Sequence, residues 1–246
     1  MNYLLTFAYQ GQAFYGFERQ KGKRTVQGEL ERALTALMGE EIHIHGAGRT
    51  DAGVHALAQR ANFHAERSVE KASFLYALNR LLPPDIFVKE VEEVPEAFDA
   101  RHNAKKKRYI YRFRYGERDP FQNGLVGQYT YPHFDEDAFR DALSCFQGTH
   151  NFQNFTSKAE DPHGFLRTID EVEVRIDQEK KEGTVSFLGN GFMTYMVRLM
   201  MGAALRAAAG KWGKEDIQDR LNEEKRHIFS LKAPAGGLYL AEVFYE

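Results

Sequence analysis

Apolar positions recur at every second residue from Asn2 to Tyr9, with Tyr3, Leu5, Phe7 and Tyr9 on one face, which predicts a strand. The period then lengthens. Val26, Leu30, Ala33, Leu34 and Leu37 fall on one side of a helix that Thr25 is placed to cap and Gly39 to end. Ile42 and Ile44 alternate with His43 and His45 on a short strand. A glycine-rich loop follows from Gly46 to Gly53, and Gln59 to His64 reads as a strand. Ser68 is placed to cap a second helix with Ala72, Leu75, Leu78 and Leu82 inward, which Pro83-Pro84 stops. Ile86 to Val94 reads as another strand.

The second half begins near Asn103. Lys105 to Tyr115 alternates aromatic with basic residues as a long strand, and Leu125 to Tyr131 is a candidate partner. Asp135 to Phe146 is helical in pattern, Arg167 to Asp177 and Gly183 to Leu188 are strand-like, and Phe192 to Ala209 is a long helix. Lys214 to Asn222 is a shorter helix and Leu238 to Tyr245 a last strand. The first half is β-α-β-β-α-β, the split pattern of a ferredoxin-like unit. The whole reads as α+β in two halves, 1–102 and 103–246.

Composition sets few limits on this picture. The chain has 246 residues, 43% hydrophobic and 28% charged, with a formal net charge of −2. A chain of this length buries about 70–75% of its unfolded surface, so no staple is required. The lone Cys145 has no internal disulfide partner and fits a reducing cytosol as a buried structural thiol. The N-terminus lacks a basic region and a sustained apolar run, so no signal peptide is expected, and Leu199 to Leu205 is too short to span a bilayer. Charge is unevenly spread. Eight Lys or Arg residues lie between Arg101 and Arg118 against one acid, Glu117. Such a strip is either a track for a phosphate backbone or a solvated strand.

The candidate chemistry sits in Gly46-Ala47-Gly48-Arg49-Thr50-Asp51-Ala52-Gly53-Val54-His55-Ala56. Three glycines within eight residues suit unusual dihedrals or close approach to a ligand. A cation, Arg49, and an anion, Asp51, stand two residues apart. The Gly-Lys-Ser/Thr ending of a phosphate loop is missing, and the glycine spacing does not fit a dinucleotide fingerprint. A plain turn with Asp51 bonding its own backbone fits. So does a metal site drawn from His43, His45, His55 and Asp51. A glycosidase needs two carboxylates where this loop has one, and no serine or cysteine nucleophile motif is present.

The same eleven residues resemble the signature of the tRNA pseudouridine synthase A family. The likeness extends along most of the chain. Phe14-Tyr15-Gly16-Phe17-Glu18-Arg19-Gln20 and Thr25-Val26-Gln27-Gly28-Glu29-Leu30 resemble the family's opening. Phe98-Asp99-Ala100-Arg101 and Lys107-Arg108-Tyr109-Ile110-Tyr111 resemble its middle, Phe192 to Arg198 its long helix, and Ala233 to Leu240 its ending. The resemblance implies isomerisation of uridine to pseudouridine at positions 38, 39 and 40 of the tRNA anticodon stem-loop, without cofactor or metal. It implies two ferredoxin-like halves joined in one extended sheet, an active cleft between them, and a cytoplasmic homodimer. By position it makes Asp51 the catalytic carboxylate. Arg49 is then the arginine beside it, Tyr109 the ring against the target base, and Arg198 a cation pairing with the aspartate.

The alternatives are a tRNA-binding module without turnover and a metal-dependent hydrolase using His43 and His45. Two departures from the family pattern stand out. Thr194-Tyr195 lies where relatives often carry histidine, and Phe229-Ser230 replaces a small Ala-Gly pair. Both bear on target choice, as in a paralogue with an altered range, more than on the reaction.

Overall fold

The structure, a computed structural model, describes residues 1–131, 133–223, 225–226 and 231–246. The departure at Phe229-Ser230 lies outside them. Chain order is β1 (Asn2–Tyr9), α1 (Val26–Met38), β2 (Ile44–Gly46), β3 (His55–His64), α2 (Lys71–Leu81) and β4 (Ile86–Val94). Then come β5 (Lys106–Tyr115), β6 (Gly127–Tyr129), α3 (Glu136–Ser144), β7 (Gly148–Asn151), β8 (Leu166–Asp177) and β9 (Glu182–Gly189). Helices α4 (Met196–Ala208) and α5 (Lys214–Asn222) and strand β10 (Leu238–Phe244) complete a mixed α+β fold.

The capping logic holds for α1. The Thr25 hydroxyl accepts the Gly28 N–H, and Gly39 ends the helix in the left-handed conformation. It does not hold at Ser68. The carboxylate of Glu70 caps α2 instead, accepting from the Ala72 and Ser73 N–H groups at 3.1 and 2.8 Å. Leu78 and Leu82 are buried as expected and Leu75 is half-buried, while Ala72, in the first turn, is exposed and Phe74 joins the buried face. Helix α4 also starts later than its apolar run suggests, at Met196, because Tyr195 adopts φ 64° and breaks the register. Strand β3 begins four residues before the expected Gln59, at His55. Strand β7, Gly-Thr-His-Asn, carries no apolar alternation and gave no sequence signal.

Two compact units result, Met1–Lys105 with Tyr239–Glu246, and Lys106–Leu238. In the first, β4, β1 and β3 run antiparallel in that order. The other edge of β3 is shared by β2, antiparallel against Ala61–Phe63, and β10, parallel against His55–Ala56. The C-terminal strand therefore returns to the first unit, where the sequence reading had put it with the second half. In the second unit, β5, β9, β8 and β7 are antiparallel neighbours, and β6 pairs in parallel with Phe113–Tyr115 at the end of β5. Its core is aromatic, with Tyr111, Phe113, Phe139, Phe146, Phe152, Phe155 and Phe187 fully buried, and α3 packs on α4. Among the described residues no helix is long and apolar enough to cross a membrane.

Candidate active site

The glycine-rich loop is held from both ends by hydrogen bonds to its main chain. The Ala47 N–H donates to the Arg60 carbonyl at 2.7 Å, and the buried Gln59 amide donates to the Gly48 carbonyl at 3.0 Å. Further along, the Phe17 N–H donates to the Thr50 carbonyl at 3.0 Å, and the Val54 N–H to the Asp51 carbonyl at 3.1 Å. The segment carrying Phe14 to Phe17 thus lies directly against the loop. Gly16 permits this: at φ 97°, a Cβ there would stand 2.9 Å from the Thr50 carbonyl oxygen.

Thr50 is the anchor. Its side chain is buried, and its hydroxyl pairs with the buried Tyr9 hydroxyl at 2.7 Å. On either side of it Arg49 is exposed and Asp51 half-buried. The buried threonine thus fixes the loop between its two charged residues. Sequence inspection picks out Arg49 and Asp51 but not this tie between them.

The Tyr9 hydroxyl is pushed up to about 12, chiefly by burial, with hydrogen bonds to Thr50 and Gln59 pulling it back. A raised folded-state value means that the fold holds this proton more tightly than the unfolded chain. Its contribution is complete below about pH 10 and is lost between about pH 10 and 12, roughly 2–3 kcal/mol in all. Burial also raises Tyr111, Tyr129 and Tyr245, so the whole protein loses stability in that direction. Urea unfolding of wild type and Tyr9→Phe at about pH 9 and about pH 11 tests this, with a shallower alkaline loss expected in the variant. Parallel losses in the two proteins would refute the assignment.

Arg49 reaches Glu18, Nη2 to Oε1 at 2.8 Å, with both side chains largely exposed. Such a pair adds at most about 1 kcal/mol, so an incoming phosphate can compete for the guanidinium. Beside the loop lies an open groove of about 350 Å³, lined by Arg19, Glu31, His45, Arg49 and Arg101 among others, though not by Asp51.

His55, next to last in the signature, is structural. It is 1% exposed, its Nδ1 accepts the Gly11 N–H at 3.0 Å, and its ring stacks on Tyr239 with centroids 4.5 Å apart. Its partners lie 44 and 184 positions away, so no local pattern reveals this role. His43 and His45 are exposed on β2 and its approach. His43 sits 3.9 Å from Glu31 and 3.5 Å from Glu41. No three His, Cys, Asp or Glu side chains are grouped for a metal ion among the described residues. Cys145 is buried, and burial pushes its thiol up, as suits an inert structural cysteine.

The remaining candidates belong to the second unit. Tyr109, on β5, is 8% exposed and meets Phe192 edge-on at 5.0 Å. Arg198 is clamped in the first turn of α4. Its Nε donates to the Ala233 carbonyl at 2.8 Å, the Ala233 N–H donates back to the Arg198 carbonyl at 2.9 Å, and the guanidinium lies 5.3 Å from the Tyr195 ring centroid. The basic strip is partly neutralised: Lys106 pairs with Asp170 at 3.3 Å and Arg108 with Glu171 at 3.1 Å, both acids on β8.

Comparison with known proteins adds a separate line. A family profile described as tRNA pseudouridine synthase matches residues 5–103 and 142–246. A tRNA pseudouridine synthase A of Limosilactobacillus fermentum is 40% identical over 248 residues, 99% of this chain and 96% of that one. One of Geobacillus sp. is 40% identical, covering 98% of this chain and 97% of the other. One of Acetivibrio thermocellus is 38% identical over 99% of both chains. A chain of a solved Cbf5-Nop10-Gar1 complex aligns with 96% of this chain and 57% of its own length. Its TM-score is 0.40 at 10% identity, too loose a match to align site residues.

Proposed function

Because this chain belongs to the tRNA pseudouridine synthase family, and so is an isomerase converting uridine to pseudouridine, we propose that Asp51 is its catalytic carboxylate and that its targets are uridines 38, 39 and 40 of the tRNA anticodon stem-loop. The observation that carries the residue assignment is the loop itself. Thr50 is tied inward to Tyr9, and of the two charged residues beside it Arg49 is exposed and Asp51 half-buried.

The reaction breaks the bond between C1′ and N1 and makes one between C1′ and C5. N1 gains a hydrogen and the C5 hydrogen passes to solvent. It is redox-neutral and rearranges a single substrate, so it needs no cofactor. A carboxylate serves as nucleophile or base at the sugar or the base ring. Arg49 and Arg198 are assigned to substrate binding as cations that meet phosphate or polar base edges, and Tyr109 as an aromatic surface for the base. A target in a stem must be extruded at a cost of about a few kcal/mol, which phosphate contacts offset. The proposal includes a homodimer in the cytoplasm. It also takes each unit as one ferredoxin-like half, in keeping with the β4-β1-β3-β2 strand order of the first.

The range is tested with tRNA transcripts that keep one uridine at 38, 39 or 40, mapping the product at nucleotide resolution. Modification at all three positions is expected. Modification elsewhere would overturn the range, and binding without modification would favour the RNA-binding module.

A further inference from the structure

The motif Phe98-Asp99-Ala100-Arg101 is unusually well held for a surface turn. Asn2 and Asn62, 1% and 2% exposed, direct their side-chain amides at it from β1 and β3. Asn2 Nδ2 donates to the Phe98 carbonyl at 2.8 Å, and Asn62 Nδ2 donates to the same carbonyl at 3.2 Å and to Asn2 Oδ1 at 3.1 Å. Asn62 Oδ1 accepts the Ala100 N–H at 2.9 Å, and the Tyr245 hydroxyl donates to the Ala100 carbonyl at 2.9 Å. Asp99 closes the turn by accepting the Arg101 and His102 N–H groups, both at 2.8 Å. Buried, fully engaged amides of this kind fix one backbone geometry. What that geometry delivers to the surface is Arg101, into the groove beside the Asp51 loop.

The groove's carboxylates are already matched. Glu18 meets Arg49. Glu31 meets Arg19 and accepts the Ile44 N–H at 3.1 Å. Asp99 accepts the two backbone N–H groups of its own turn and lies 3.4 Å from His102 Nδ1. Arg101 has no carboxylate partner among the described residues. It is a guanidinium carried on a fixed backbone and lining an open groove, in a protein whose substrate is a polyanion.

We propose that this groove is a phosphate subsite, in which Arg101 binds a phosphodiester of the RNA strand next to the target nucleotide. The inference rests on tRNA being the substrate. A guanidinium matches two phosphate oxygens in a bidentate pair, and its planar fork loses less freedom per hydrogen bond formed than an ammonium does. Contact with a phosphate positions the strand without reading its sequence, which suits the three neighbouring target positions proposed above.

The test is equilibrium binding of a tRNA transcript to the full chain from about 50 to 200 mM salt, for wild type, Arg101→Gln and Arg101→Lys. Arg101→Gln is expected to weaken binding about tenfold at the low-salt end and to reduce the log-log salt slope by roughly one. Arg101→Lys keeps a cation in place and is expected to retain the slope. Wild-type affinity and slope in Arg101→Gln would overturn the subsite. So would equal weakening in both variants with the slope unchanged, since that marks a structural role. Tritium release from C5-labelled tRNA by the wild type separates the two levels. Release together with an unchanged slope removes the subsite alone, whereas absence of release removes the substrate assignment and the subsite with it.

Discussion

Replacing Asp51 by asparagine is expected to lower pseudouridine formation by at least about a thousandfold while leaving unfolding temperature and tRNA affinity near wild type. The substitution keeps size and polarity and removes only charge and basicity. Phe17 N–H to the Thr50 carbonyl, Val54 N–H to the Asp51 carbonyl, the Gln59 amide to the Gly48 carbonyl and the Tyr9–Thr50 hydroxyl pair hold the loop through groups other than the residue 51 side chain. An asparagine preserves each of them. Single-turnover rates, thermal unfolding and equilibrium binding on one preparation decide the matter. A loss of rate matched by a loss of stability of about 3 kcal/mol would make Asp51 a structural residue.

Gly16→Ala carries the second-largest expected effect, for two reasons that add. At φ 97° a side chain is strained wherever it points, and here it points at the loop's own backbone, 2.9 Å from the Thr50 oxygen and 3.3 Å from the Ala52 nitrogen. The expected cost is about 2–4 kcal/mol. The loop must also move away, and a displacement near 1 Å lowers turnover about a hundredfold. Gly22→Ala is the comparison. Its φ is 70°, but nothing lies within 4 Å of the added carbon, so only about 1 kcal/mol is expected and no loss of rate. Urea unfolding and steady-state kinetics on the pair separate backbone strain from displacement of the site. Similar behaviour of the two variants would contradict the close packing of Gly16 on the loop.

Much of the fold was legible because period and caps agree. Strand β1 matched its alternation to the residue, α5 its pattern, and Thr25 and Gly39 their capping roles. One failure was local, and the others share a cause, information carried by distant partners. Glu70 replaced Ser68 as a cap because a longer carboxylate reaches two N–H groups at once. Tyr195 broke α4 inside a largely apolar, helix-like stretch, with its preceding carbonyl, that of Thr194, accepting from the Thr156 hydroxyl and the Ser157 N–H. Strand β10 joined β3 across most of the chain.

The site divides in the same way. Arg49 and Asp51 could be named from a local signature. The Tyr9–Thr50 tie, the Glu18 partner of Arg49 and the burial of His55 against Gly11 and Tyr239 could not, because each joins segments far apart in sequence. The signature histidine illustrates the hazard. By composition it is a ligand candidate, and by position it is a packing element of β3.

Tritium release from tRNA labelled at uridine C5, with wild type and Asp51→Asn run side by side, tests the central claim most directly. Release by the wild type and none by the variant is the expected result, since C5 must lose its hydrogen when it bonds to C1′. Equal release by both proteins would remove Asp51 from the chemistry, and no release by a folded wild type that binds tRNA would contradict the isomerase on this substrate.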